Sequence, residues 1–163
     1  MMLTFETARL RLRPRTLDDL EAIVAMDCDE EVRHFIGGRL EAESHRSEVR
    51  SNILNGRPMP AWAIEWKERP GFLGQCALNP PQQFGATELS WRLVRASWGQ
   101  GVASEAVSAM LRHAVDELQI GPVVALIHPD NKASRRVAEK IGLRLTGEIA
   151  FIKEVRQLVY RTT

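Results

Sequence analysis

Hydrophobic and polar residues alternate along three short stretches of the chain, and this period of two predicts β-strands. The stretches cover residues 10–13, 62–66 and 87–94. A fourth strand is expected over residues 72–78, after the turn-forming sequence Arg69-Pro70-Gly71. Because such a turn reverses the chain within a few residues, we expect the strands on either side of it to form an antiparallel hairpin.

Apolar residues recur elsewhere at the spacing of amphipathic helices. Four helices are predicted: one after the N-cap Thr16, one over about residues 41–54, one over 102–120 and one from Asn131 through 140. Between the last two, residues 123–127 are apolar on both faces, as in a buried parallel strand. Residues 143–149 and 155–161 are expected to close the sheet as an antiparallel pair.

The order of these elements predicts the fold class. The strand–helix–strand unit over residues 87–127 is expected to be a right-handed crossover. The fold is therefore α/β (α+β), with a mixed, mostly antiparallel central sheet and helices on both faces. A length of 163 residues predicts a single domain over residues 1–163.

Composition narrows the class of protein. With 44% hydrophobic and 26% charged residues the chain is typical of a soluble domain, and no apolar stretch approaches the roughly 18 residues of a membrane helix. A formal net charge of +1 predicts no nucleic-acid partner. The four histidines have no paired spacing for a metal, so no metal is expected. Two cysteines in unrelated contexts, and no evident signal peptide, favour the cytoplasm.

The most informative stretch is Trp98-Gly99-Gln100-Gly101-Val102-Ala103-Ser104, at a junction between a predicted strand and a predicted helix. The first backbone N–H groups of a helix are unpaired and lie at the positive end of its dipole, so a phosphate is their natural ligand. The stretch lacks both the third glycine of a dinucleotide-binding loop and the Lys-Ser/Thr of a P-loop. A tight turn before a helix is the alternative interpretation.

Four blocks resemble motifs of the GNAT superfamily of acetyl-CoA-dependent N-acetyltransferases, and within it the branch that contains RimJ and RimL. They are Glu88-Leu89-Ser90-Trp91-Arg92-Leu93, Trp98-Gly99-Gln100-Gly101-Val102-Ala103-Ser104-Glu105-Ala106, His128-Pro129-Asp130-Asn131-Lys132-Ala133-Ser134 and Glu139-Lys140-Ile141-Gly142. The opening Glu6-Thr7-Ala8-Arg9-Leu10-Arg11-Leu12-Arg13-Pro14 resembles the same branch. One departure is Trp98, where the superfamily often has Gln or Arg.

The resemblance implies a GNAT-like fold and acetyl-CoA as the donor of an acetyl group. The acceptor is expected to be a primary amine, either a protein N-terminus or a small molecule, and the protein a monomer or homodimer. A non-catalytic acyl-CoA-binding or regulatory module of the same fold is the alternative. The residues expected to contact the donor are Leu93, Val94, Trp98, Gly99, Gln100, Gly101, Val102, Ala103, Ser104, Asn131 and Ser134.

Two residues are candidates for catalysis. Glu88 matches the glutamate that in this family often takes the proton of the amine, usually through water, and Arg92 on the same strand face is expected to lower its pKa. Ser134 matches a position where a hydroxyl approaches the sulfur of the leaving group. The alternatives are a solvated strand charge for Glu88 and helix capping for Ser134. Backbone N–H groups near Leu93 and Val94 are expected to polarise the thioester carbonyl.

Three further features have mainly structural explanations. His128 is expected to order the turn after the buried strand, and Tyr160 to belong to the core. The carboxylates of Asp27, Asp29, Glu30 and Glu31 form the densest acidic cluster in the chain. This cluster either attracts a cationic acceptor by its negative field or simply lies at a solvated helix start.

Overall fold

The computed structural model describes residues 3–56, 60–81 and 84–163. Within them the strands are β1 (Phe5–Glu6), β2 (Leu10–Pro14), β3 (Ala61–Trp66), β4 (Gly74–Asn79), β5 (Thr87–Leu93), β6 (Val123–Ile127), β7 (Arg144–Ile152) and β8 (Val155–Arg161). The α-helices are α1 (Leu20–Cys28), α2 (Glu30–Arg33), α3 (Ala42–Asn55), α4 (Val102–Arg112) and α5 (Lys132–Lys140).

The strands form one sheet in the order β1-β2-β3-β4-β5-β6-β8-β7. Only β5 and β6 pair in parallel among the described strands, and every other neighbouring pair is antiparallel. The predicted hairpin is β3–β4, so this prediction is confirmed. The mixed, mostly antiparallel sheet is confirmed as well, although β8 lies between β6 and β7, an order that the sequence did not predict.

The helices cover both faces of the sheet. Leu89 and Leu93 of β5 pack in one core cluster with Val102 and Met110 of α4. Because side chains alternate along a strand, Arg92 points to the other face, where it contacts Asp27 of α1. The first helix begins as predicted, since the hydroxyl of Thr16 caps the turn that leads into α1.

The parallel pair β5–β6 is very short, and this feature positions the site. Within the described residues the two strands pair only as Thr87 with Val123 and Glu88 with Val124. Beyond that point β5 continues beside β4 as far as Leu93, while β6 continues beside β8. The two strands therefore diverge, and one edge of β5 from Leu89 onwards faces the space between them, here called the β5–β6 gap.

Candidate active site

The backbone of β5 directs alternate N–H groups into the β5–β6 gap. The N–H of Thr87 donates to the Pro122 carbonyl on the β6 side at 3.2 Å, and by the alternation of a strand Leu93 faces the same way. The N–H of Val94 instead donates to the Leu73 carbonyl on the β4 side at 2.9 Å. The prediction that Val94 supplies a backbone donor is therefore wrong, because its N–H is already bonded on the far side. The donor role of the Leu93 N–H stays a prediction.

The glycine-rich loop lies at the end of β5. Gly99 and Gly101 have φ values of 75° and 76°, a conformation that residues with a Cβ rarely adopt. Helical hydrogen bonding starts with the Glu105 N–H, which donates to the Gly101 carbonyl at 3.2 Å. The N–H groups of residues 102–104 therefore have no acceptor within the helix, as an anion site requires.

The indole of Trp98 connects this loop to the gap. Its Nε1 donates to the carbonyl of Leu93 at 3.2 Å, on the edge of β5 that faces the gap. The ring is otherwise exposed. The side chain of Trp98 therefore links the glycine-rich loop to the end of β5.

Arg9, near the start of the chain, contacts the glycine-rich loop and the helix after it. No separate role was assigned to this residue from the sequence. The Nε of Arg9 lies 2.7 Å from Glu105 Oε2, and its Nη2 donates to the Gln100 carbonyl at 3.0 Å. The backbone N–H of Arg9 and the hydroxyl of Thr7 donate to Glu105 Oε1 at 2.8 Å and 2.6 Å. Partial burial acts to raise the pKa of Glu105, but these hydrogen bonds outweigh it, so the pKa is lowered.

The β6 side of the gap ends in the first turn of α5. Asn131 Oδ1 accepts a hydrogen bond from the Ser134 N–H at 3.2 Å, so Asn131 is the cap. The hydroxyl of Ser134 has no hydrogen-bond partner among the described residues. Capping by the Ser134 hydroxyl is therefore not what the structure shows. His128 Nδ1 accepts from the Asp130 N–H at 3.1 Å, which confirms that His128 orders this turn.

Glu88 is half-buried at the point where β5 and β6 separate. Burial raises the pKa of its carboxyl group. The expectation that Arg92 lowers this pKa is wrong, because the guanidinium of Arg92 is directed to Asp27, with Nη1 at 2.5 Å from Oδ1. The same Asp27 is held by His45, whose Nε2 lies 2.7 Å from Oδ2.

The acidic cluster does not form an open negative surface. Three of its four carboxylates are paired with arginines: Asp27 with Arg92, Asp29 with Arg95 at 2.9 Å, and Glu30 with Arg39 at 3.6 Å. Asp29 also caps α2 by accepting the Glu31 N–H, as the solvated-helix-start interpretation expects. The neighbouring segment lines a cavity of about 690 Å³ with side chains of both signs, Glu30, Arg33, Arg39 and Glu41.

Three other observations concern Tyr160, metal binding and membrane helices. The hydroxyl of the fully buried Tyr160 accepts from Arg135 Nε and donates to Glu139, so its structural role is confirmed. No group of three or more His, Cys, Asp or Glu side chains placed to hold a metal occurs among the described residues. In the same part of the chain no helix is both long and apolar enough to cross a membrane.

Together these features define an α/β protein with a slot between two diverging strands and the N-terminus of a helix at one end of it. The chain matches the family model described as "Acetyltransferase (GNAT) domain" over residues 9–144. The protein therefore belongs to the GNAT acetyltransferase family, as the motif blocks predicted, and it is an acetyltransferase.

Relatives and solved structures agree with this assignment. The protein YkkB of Bacillus subtilis (strain 168) is 36% identical over 146 residues, which cover 85% of each chain. A crystal structure of an acetyltransferase from Agrobacterium tumefaciens has a TM-score of 0.83 at 27% identity and covers 100% of this chain and 95% of its own. The ribosomal-protein alpha-N-acetyltransferase RimL, solved with coenzyme A, has a TM-score of 0.79 at 18% identity, covering 98% and 97%. The likeness to RimL concerns the fold.

Proposed function

We propose that the protein transfers an acetyl group from acetyl-CoA directly to a primary amine, either a protein N-terminus or a small amine. The observation that carries the proposal is the divergence of β5 and β6 after Glu88. Along the resulting slot we propose three parts of the site: the backbone edge of β5 near Leu93, the carboxylate of Glu88, whose pKa is raised by burial, and the glycine-rich loop before α4.

The residues of the loop fit the diphosphate of a CoA donor. The N–H groups at the start of α4 supply donors, and the two left-handed glycines let a phosphate lie against the backbone. Nothing lies within 4 Å of a Cβ built on Gly99, so a side chain there would extend into open space beside the loop. Asn131 and the edge of β5 would hold the arm of the donor, which supplies an acetyl thioester.

The chain's own residues meet the three requirements of acetyl transfer. Glu88 takes the proton of the amine, and its raised pKa makes it a stronger base than an exposed glutamate. The amine nitrogen then bonds to the carbonyl carbon as the carbon–sulfur bond breaks, and the Leu93 N–H stabilises the negative charge on oxygen. The electron pair of the broken bond goes to sulfur, where the Ser134 hydroxyl donates a hydrogen bond to the leaving thiolate.

The environment of Cys76 supports direct transfer of the acetyl group to the amine, without an acetyl-cysteine intermediate. It is fully buried in β4, and burial raises the pKa of its thiol to about 12. A nucleophilic cysteine needs an accessible thiolate, which this environment disfavours. An acetyl-cysteine at this position is therefore not part of the proposed reaction.

The experiment is a thiol-release assay with acetyl-CoA and a library of amines, paired with calorimetry of CoA binding. Turnover with any amine supports the enzyme, whereas tight CoA binding without turnover supports the non-catalytic module. Radioactive acetyl groups separate the two acceptor classes. A labelled ribosomal fraction indicates a protein N-terminus, and label confined to low-molecular-weight products indicates a small amine.

A further inference from the structure

A small cavity lies directly beside Glu88. Its volume is about 160 Å³, and its lining residues are Pro80, Phe84, Ala86, Glu88, Val124, Leu126 and Ile152. Glu88 is the single charged side chain in this set, and all the others are apolar. An apolar cavity of about 150 Å³ is large enough to hold benzene. The cavity therefore has the size and the walls for one compact hydrocarbon group.

The position of this cavity, here called the Glu88 cavity, connects it to the reaction. Glu88 and Val124 form the last parallel pair before β5 and β6 diverge, so one wall of the cavity lies at the start of the β5–β6 gap. Val124 and Leu126 belong to a core cluster with Phe84, Ala86 and Ala150, separate from the cluster that contains α4. The cavity thus lies on the face of the sheet opposite the helix that would bind the donor.

We infer that the Glu88 cavity is the acceptor subsite, and that it selects primary amines whose substituent is compact and apolar. This inference rests on the proposed function, because it assigns the substrate class of the same site. Burial of a hydrocarbon group of the acceptor against the apolar walls makes the binding free energy more favourable. A second polar or charged group in the same place would lose its water and find no side-chain partner other than Glu88 among the described lining residues.

The single carboxylate sets the orientation of the acceptor. Among the described lining residues only Glu88 carries a side-chain hydrogen-bond acceptor, so the nitrogen turns toward Glu88 and the hydrocarbon group toward Phe84 and Leu126. Glu88 makes no ion pair with Arg92, because the guanidinium of Arg92 pairs with Asp27 instead. The carboxylate is consequently available to the one amino group that enters.

The test compares two acceptors with the same number of carbons, isopentylamine and 1,5-diaminopentane. We expect kcat/KM to be at least about tenfold higher for isopentylamine, because the second ammonium group has no partner in the cavity. Leu126→Phe, which fills the cavity, is expected to lower kcat/KM for isopentylamine about tenfold without changing the KM for acetyl-CoA. Leu145→Phe is the matched control, since Leu145 is an exposed apolar residue of β7 outside the lining.

Equal kcat/KM values for the two amines, or an equal response of both to Leu126→Phe, would overturn the inference while leaving the acetyltransferase intact. If Leu126→Phe does not fold by circular dichroism, Leu126→Ala replaces it and is expected to shift preference toward the larger benzylamine. Absence of thiol release with every amine would instead contradict the proposed function. Isopentylamine binding, followed by NMR shifts of residues around the cavity without acetyl-CoA, then tests the subsite separately: shifts confined to this region support it, and their absence overturns it.

Discussion

Arg9 and Glu105 are 96 residues apart in the chain, and their side chains meet at 2.7 Å. The contact joins the turn between β1 and β2 to the first turns of α4. The same guanidinium donates to the Gln100 carbonyl and lies 5.3 Å from the ring centre of Trp66. The glycine-rich loop is thus fixed from outside by a residue that does not itself belong to it.

Loosening this brace is expected to weaken donor binding. In Arg9→Met the loop loses its bond at Gln100, and we expect the KM for acetyl-CoA to rise about fivefold while the KM for the acceptor stays constant, because a looser loop presents its N–H groups less well. An exposed pair contributes only about 0–1 kcal/mol to stability, so the melting temperature is expected to change little. Steady-state kinetics with each substrate varied in turn measure the two KM values separately.

Two further variants test whether the rise in the KM for acetyl-CoA depends on the contact between Arg9 and Glu105. Arg11→Met is the control, since Arg11 lies two residues further along, in β2, and pairs with Glu6 at 3.2 Å and Glu65 at 3.4 Å, away from the loop. Glu105→Gln combined with Arg9→Met is expected to be no worse than Arg9→Met alone. Additive losses, or equal changes in both KM values, would show that Arg9 and Glu105 do not act together on the loop.

Gly101→Val is expected to abolish CoA binding. A residue with a Cβ at φ 76° is strained by about 1–2 kcal/mol, and a Cβ here would lie 3.2 Å from Arg9 Nη2. Both effects move the backbone that would cradle the diphosphate. Isothermal calorimetry with CoA on the folded variant measures the loss. Gly56→Val is the matched control, since Gly56 has φ 79° at the end of α3 and open space around its Cβ; wild-type affinity in Gly101→Val would refute the loop assignment.

Glu88→Gln is expected to remove the acidic limb of the pH profile of kcat/KM. Burial raises the pKa of Glu88 above its ordinary value of 4.5, so in wild type the base becomes protonated, and activity falls, at a higher pH than for an exposed glutamate. The variant should retain about 1% of the activity or less. A wild-type profile that stays flat through this range would exclude Glu88 as the base.

Glu88→Gln is also expected to change the thermal stability, and the raised pKa of Glu88 gives the sign of the change. A raised pKa means that the folded state disfavours ionised Glu88, a penalty that is present above the folded pKa and absent below the ordinary value of 4.5. Glu88→Gln should therefore unfold at higher temperature than wild type near neutral pH, and the difference should vanish in acid. Thermal melts across pH measure it, and a destabilised variant at neutral pH would contradict the burial argument.

Ser134→Ala is expected to lower kcat about tenfold and to leave the KM for acetyl-CoA within about twofold, since a hydrogen bond to the leaving sulfur acts in the transition state. The melting temperature should not change, because Asn131 supplies the cap of α5. Ser108→Ala on α4 serves as the control. Unchanged kcat together with a lower melting temperature would return Ser134 to a purely structural role.

The sequence by itself was sufficient for most of the elements and for the position of the loop, although β1 and α2 were not predicted. Helices, strands and the β3–β4 hairpin depend on local periodicity and turn residues, which can be read within a window of about ten residues. Gly99, Gly101 and the helix after them are likewise a local pattern, so the glycine turn before α4 could be predicted without knowing what surrounds it, while its binding of an anion stays a prediction.

Tertiary structure alone decided the contacts between polar groups that are distant in the chain. The position of β8 between β6 and β7, and the side of β5 to which the Val94 N–H points, follow from strand pairing between distant segments. The guanidinium of Arg92 pairs with Asp27 of α1, which is distant in the chain, and the pKa of Glu88 is raised by burial rather than lowered by its neighbour on the strand. Desolvation and ion pairing depend on distances between residues far apart in the chain, and these distances exist only once the chain has folded.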